Sequence, residues 1–204
     1  LLHRLTKKNL FKMGELFARL HIQSKGFSPS DGFTQRQMYR VLARDEVDAL
    51  FSEDTLKVLS HQQVCLLNNI KIEVQECYKN RYSGREQPRV IHHDLHHENI
   101  LVHNGNLQPF DFEDTVWGYP VQDLAMALLD LLDEVGPEKY LVLANRLKDG
   151  YESLLPWPEQ YPGEMRTFQL GRRLWVTNST ARFDPDELPD LITPQWFDTI
   201  PLVK

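Results

Sequence analysis

A chain of 204 residues, 41% hydrophobic and 25% charged, has the balance of an ordinary globular protein with enough apolar surface for a buried core. A formal charge of −6 argues against a nucleic-acid binder, which presents a basic face, and tolerates a neutral or cationic small substrate without selecting one. No apolar run approaches the ~20 residues of a membrane span, and no charged-then-apolar secretion signal opens the chain.

The first predicted element is a helix over Lys8 to Ile22, where Leu10, Phe11, Met13, Leu16, Phe17 and Leu20 fall close to helical spacing. Gly26, Pro29 and Gly32 mark a loop, and Thr34 to Leu42 suggests a short helix. The longest periodic segment runs from Glu53 to Tyr78, with Leu56, Leu59, Val64, Leu67, Ile70 and Val74 as inward positions. Ser52 is its N-cap, and Ser83-Gly84 closes it. Cys65 and Cys77 fall in that segment and read as buried, unbridged thiols of a reducing cytoplasm.

Arg89 to Ile91 reads as a short strand. Ile100-Leu-Val102 and Leu107 to Phe112 flank His103-Asn-Gly-Asn106, and an Asn-Gly pair between apolar runs is a strong hairpin signal. Pro109 restricts the second run to an edge or a short pairing. After the turn Trp117-Gly-Tyr-Pro120, the pattern predicts a helix from Val121 to Leu132 and a second opened by Gly136-Pro137, ending near Leu155. A third helix is expected over Glu164 to Ala181, and a short one around Gln195. Trp117, Tyr119, Trp157 and Trp175 are expected to be buried rather than to line a cleft. The plan is mainly α with a small β-hairpin insertion.

That insertion carries the polar cluster. Asp94 and Asn99 stand five apart on a loop entering a strand, and Asp111 lies twelve further on, across the hairpin. Each alone reads as a turn or cap residue. Together, His-x-Asp-x-x-x-x-Asn, a Gly-containing hairpin and Asp-Phe form a long ordered string that rarely arises by chance. Phosphoryl transfer from ATP uses such a set, with one acid beside the attacking hydroxyl and an oxygen pair for magnesium. Magnesium takes few ligands from a protein, and one amide oxygen with one carboxylate suits it.

The histidines at 92, 93, 96, 97 and 103 raise a rival reading, a zinc hydrolase site. His92/His96 and His93/His97 have the i, i+4 spacing that works on a helix. The zinc-protease pattern His-Glu-x-x-His is missing, since Leu101 stands where its second His belongs, and the local pattern favours a loop.

His92-His93-Asp94-Leu95-His96-His97-Glu98-Asn99, Phe110-Asp111-Phe112-Glu113-Asp114 and Asp123-Leu124-Ala125 together resemble three blocks of the aminoglycoside phosphotransferase and choline kinase-like superfamily. The helix ending Glu15-Leu-Phe-Ala-Arg-Leu-His21 and the segment Thr167 to Trp175 are similar to helices of the same superfamily. The resemblance implies the C-terminal lobe of a protein-kinase-like α+β fold, with Asp94 as catalytic base and Asn99 and Asp111 as ligands of Mg2+. It implies that His92 braces the loop and that Asp123 ties the loop backbone to the helix below. His96, Glu113 and Asp114 are candidate phosphate or substrate contacts. His93 replaces the family's Gly, where a left-handed backbone is strained for His.

The resemblance covers residues 1–204 as a helical lobe and implies that the N-terminal ATP-binding lobe is absent, since no Gly-x-Gly-x-x-Gly loop occurs. The expectation is therefore a cytoplasmic ATP-dependent kinase of a small-molecule hydroxyl, truncated and weakly active or inactive alone. It has no nucleic-acid or membrane partner, and its oligomeric state is undetermined by the sequence. A non-catalytic kinase-like binding module is the alternative, with the zinc hydrolase behind it.

Overall fold

The computed structural model describes residues 1, 4–30, 36–42 and 46–203. The architecture is mainly helical, with two small antiparallel strand pairs set between the helices. Helix α1 (Lys7–Ser24) is capped by Thr6, whose hydroxyl accepts from the Asn9 N–H. The expected helix from Glu53 to Tyr78 is two helices, α2 (Glu53–Val58) and α3 (His61–Tyr82). Ser60 breaks it: its side chain accepts from Gln63 N and the Gln63 side chain accepts from Ser60 N, a reciprocal capping box that starts α3 afresh.

The short helix expected over Thr34 to Leu42 is not formed by residues 36–42, and residues 34–35 lie outside the described residues. Gln37 instead bridges Trp117 in parallel, with Trp117 N donating to Arg36 O (2.7 Å) and Met38 N to Trp117 O (2.9 Å). A tertiary partner for the backbone outweighs a weak local preference there. Cys77 is buried and its thiol is pushed up to about 11 by burial, whereas Cys65 is exposed, against expectation, because it faces outward from α3.

Strand β1 (Arg89–Ile91) pairs with β4 (Val116–Gly118), and β2 (Ile100–His103) pairs with β3 (Asn106–Pro109). Asn104 (φ 49°) and Gly105 (φ 74°) make the two-residue turn between β2 and β3, both left-handed as that tight hairpin requires. Helix α4 (Pro120–Glu152) follows β4 directly and is broken at Gly136 (φ 71°, ψ 166°), so residues 120–135 and 137–152 are two arms. Helix α5 (Glu164–Phe183) packs on α3 and α4, and α6 (Leu188–Leu191) and α7 (Pro194–Asp198) close the chain.

The tightest packing joins α1 to the second arm of α4. A Cβ on Gly14 would meet the Leu147 carbonyl oxygen at 1.9 Å, and one on Gly150 would meet the Phe11 carbonyl oxygen at 1.9 Å. The two helices therefore cross backbone to backbone, with Leu10, Met13, Phe17, Leu143 and Leu147 buried around the crossing. Among the described residues, no helix is long and apolar enough to cross a membrane.

Candidate active site

The loop from His92 to Asn99 leaves β1, turns above the start of α4 and enters β2 through a single 3-10 turn (His97–Asn99). Its floor is Asp123, fully buried on the first turn of α4, where the positive helix end suits a carboxylate. Asp123 accepts from the backbone N–H groups of His92 (3.2 Å) and His93 (2.7 Å) and meets His21 Nε2 at 3.0 Å. His21 is itself buried, with Nδ1 3.0 Å from the Tyr151 hydroxyl. Burial pushes the Asp123 carboxyl up, but His21 and the His93 N–H outweigh it and leave the group below the usual carboxylate range.

His93 has φ 64°, so the left-handed position is occupied by a non-glycine residue. Such a backbone costs about 1–2 kcal/mol for an L-residue. The 2.7 Å bond from its N–H to Asp123 holds it there. His92 spans the loop and the second motif: Nε2 lies 3.0 Å from the Phe110 carbonyl oxygen, and its ring packs on Phe112 at 4.5 Å.

The Asp94 carboxylate is held from both sides. Asn99 Nδ2 donates to Asp94 Oδ2 at 3.0 Å and to the Asp94 carbonyl at 2.8 Å, while Arg172 Nη2 donates to Oδ1 at 3.2 Å. His96 Nε2 lies 3.6 Å from Oδ2. Burial raises the Asp94 carboxyl, but His96 and the Arg172 guanidinium overcome it and hold the group below its ordinary value. In return Asp94 raises the His96 imidazole, against burial, with Asp130 adding to the effect.

Asn99 and Asp111 reach one neighbourhood through the hairpin. Phe110 N donates to Asn99 O at 3.1 Å, extending the β2–β3 ladder by one step, and Asp111 follows in a left-handed conformation (φ 64°) that throws it out of the strand. The Asn99 NH2 is spent on Asp94, so its oxygen is the atom left to offer a cation, and Asp111 is an exposed carboxylate. An amide oxygen and a carboxylate are oxygen donors of the kind a hard divalent cation takes. Glu113 is exposed and Asp114 half-buried on the turn after Phe112.

Three participants were not singled out in the sequence. Arg172 lies 78 residues beyond Asp94, on a helix whose register alone does not announce a partner. His21 was read only as the end of a helix, and Asp130, on α4, bonds His97 Nδ1 at 2.6 Å. Trp175, expected to be buried, is half-exposed: its indole N–H donates to Glu46 Oε1 (3.0 Å), and the Arg172 guanidinium lies 4.2 Å from its ring centroid. Together Arg172, Trp175, His93, Met126 and Phe168 help wall a small recess. Trp117 and Trp157 are also half-buried, and Tyr119 is buried as expected.

Comparison with known proteins bears on the family and the fold. A family model described as the phosphotransferase enzyme family matches residues 1–157. A homoserine kinase of Methylobacillus flagellatus is 22% identical over 196 residues, covering 92% of this chain and 57% of the relative. Among solved structures, amicoumacin kinase hAmiN in complex with AMP-PNP, Ca2+ and Ami superposes with a TM-score of 0.73 at 16% identity, over 97% of this chain and 61% of the other. A microcompartment-associated aminopropanol kinase superposes with a TM-score of 0.64 at 18% identity, over 95% and 60% of the two chains. At these identities the structural likeness speaks for the fold. The chain spans about three fifths of the length of each of these relatives.

Proposed function

The chain belongs to the phosphotransferase enzyme family, and from that premise we propose that it carries the acceptor and metal-binding half of an ATP-dependent small-molecule kinase. Residues 1–204 act in this reading as the helical C-terminal lobe. Asp94 orients the acceptor hydroxyl and takes its proton as the phosphoryl group arrives. With a carboxyl held below its ordinary range it is a weak base, which suits a loose transition state that needs little nucleophilic push. Asn99 and Asp111 hold Mg2+, whose charge offsets that of the phosphate oxygens. His92 and Asp123 fix the loop, and His96 lies beside the transferring group.

The observation that carries the reading is the pairing of Asn99 with Asp94, which fixes the acid and turns the Asn99 NH2 toward it, leaving the amide oxygen as the atom that can meet a cation. The acceptor is a small hydroxyl compound. Of the acceptors in the relatives' names, homoserine brings a carboxylate and aminopropanol does not. A guanidinium beside Asp94 favours the former.

The test is ADP release by the full-length protein across homoserine, amino alcohols and aminoglycosides, with Asp94→Asn alongside. Turnover of one acceptor that Asp94→Asn abolishes without unfolding supports the reading. Unchanged turnover in Asp94→Asn sinks it.

A further inference from the structure

His96 and His97 both turn a ring nitrogen toward α4. His97 Nδ1 lies 2.6 Å from Asp130 Oδ2, and His96 Nδ1 lies 3.8 Å from Asp130 Oδ1. One donor atom from each of the three residues falls within 4.8 Å of the others. Glu98 adds a carboxylate oxygen 4.0 Å from His96 Nδ1. His97 Nε2 is buried with no hydrogen-bond partner, so the ring's polar contact is made through Nδ1 alone.

A tetrahedral zinc ion, bound at ~2.0 Å to imidazole nitrogen and carboxylate oxygen, sets its donor atoms about 3.3 Å apart. The separations of 2.6 Å (His97 Nδ1 to Asp130 Oδ2) and 3.8 Å (His96 Nδ1 to Asp130 Oδ1) lie on either side of that value but reach different oxygens, so the carboxylate must turn along with the rings to serve both. The 3.4 Å contact from Glu98 N to His96 Nδ1 is long and gives way readily. Two imidazoles with a carboxylate are the donors of a borderline-soft cation, whereas an amide oxygen with a carboxylate suits magnesium. The two donor sets are chemically distinct and draw on different side chains.

We propose that His96, His97 and Asp130 form a second cation site, for zinc or a similar transition metal, with Glu98 or water as fourth ligand. Its bearing on catalysis follows from His96, which belongs to both neighbourhoods. A cation on Nδ1 leaves the proton on Nε2 and fixes the ring with that N–H facing Asp94, 3.6 Å away. The carboxylate that the acceptor hydroxyl needs is then engaged, and phosphoryl transfer slows. This consequence rests on the proposed function; the site itself does not.

The full-length protein, stripped of metal with a chelator, is titrated with zinc chloride by calorimetry in saturating magnesium. The expected result is one zinc per chain, weakened at least about tenfold by His97→Gln and by Asp130→Asn. Asp111→Asn is expected to leave zinc binding unchanged. Asp130 is half-exposed and its substitution isosteric, so that variant keeps the test sound if His97→Gln misfolds. No stoichiometric zinc in the wild type overturns the site, as does zinc lost in Asp111→Asn but kept in Asp130→Asn. In the active kinase, zinc is expected to slow turnover in the wild type and not in Asp130→Asn. Bound zinc that leaves turnover unchanged overturns the link to Asp94.

Discussion

The side-chain amide of Asn99 reaches both the carbonyl oxygen and the carboxylate of Asp94, at 2.8 and 3.0 Å. It therefore sets the backbone turn and the orientation of the acid at once. Asn99→Asp keeps the shape but replaces two donors with a like charge beside Asp94. The variant is expected to lose about 1–3 kcal/mol of stability, the scale of an unsatisfied buried acceptor. Its turnover is expected to fall by roughly 10²-fold or more, the scale of a misplaced base. Urea melts and ADP release measure the two effects, and wild-type values for both would show that the amide donation is incidental.

Asp123 holds the loop from beneath, and its carboxyl lies below the ordinary value of 3.8 in the folded state. A depressed folded value means the carboxylate's stabilisation is complete above the unfolded value and is lost as pH falls through the folded one. Unfolding midpoints between pH 7 and pH 2 are expected to drop steeply below about pH 4. Asp123→Asn is expected to flatten that acid limb, and Asp123→Ala to cost about 3–5 kcal/mol at neutral pH by stranding His21 and two N–H groups. An acid limb of equal slope in Asp123→Asn would assign it to other groups.

The crossing of α1 and α4 depends on two glycines with no room for a side chain. Gly14→Ala and Gly150→Ala each drive a methyl to within 1.9 Å of a carbonyl oxygen. Each is expected to cost about 1–3 kcal/mol or more, because the facing atoms are backbone and cannot swing aside. Gly26→Ala, with nothing within 4 Å, is the control and should fall within about ±0.5 kcal/mol. Thermal melts that leave all three variants equal would mean the helices stand further apart.

What could be read from the chain follows from the range of the contacts. The Asn104-Gly105 turn, the break at Gly136 and the helix around Gln195 rest on local backbone chemistry, and the local sequence carries it. The break at Ser60 was also written locally, as Ser60-x-x-Gln63, but the apolar rhythm continues through it and masks the cap. Residues 36–38 follow Trp117, some eighty positions away, and no window over Thr34 to Leu42 contains that partner. Within the site, Asp94, Asn99 and Asp111 stood out because their spacing is itself the signal. Arg172 and Asp130 arrive from α5 and α4, and only the packing of those helices brings them to the loop.

Arg81 and Glu164 form a buried pair, each with a side chain 1% exposed, in which Arg81 Nη1 donates to both carboxylate oxygens at 3.1 Å. Arg81 Nη2 also meets Glu86 at 2.8 Å, and the guanidinium packs 4.7 Å from the Tyr119 ring centroid. Arg81→Met fits the volume but leaves the Glu164 charge unpaired, at an expected cost of about 3–5 kcal/mol. Adding Glu164→Gln should recover part of that loss, because the stranded charge is then removed. A double variant no more stable than Arg81→Met alone would place the cost in lost packing.

Arg172 distinguishes a structural from a substrate-directed role at the base. Its guanidinium bonds Asp94 Oδ1 at 3.2 Å and lies over Trp175, which sets a planar positive charge beside the base. If the acceptor carries a carboxylate, Arg172→Met should raise its KM by about 10–100-fold, the worth of a charge-assisted hydrogen bond of roughly 1.5–3 kcal/mol. The same variant should leave the KM of a neutral hydroxyl acceptor nearly unchanged. Any loss of kcat common to both acceptors reports the disturbed Asp94. Arg172→Lys keeps the charge but loses the planar fork, so it should restore kcat more fully than KM. Equal KM changes for charged and neutral acceptors would confine Arg172 to holding the base.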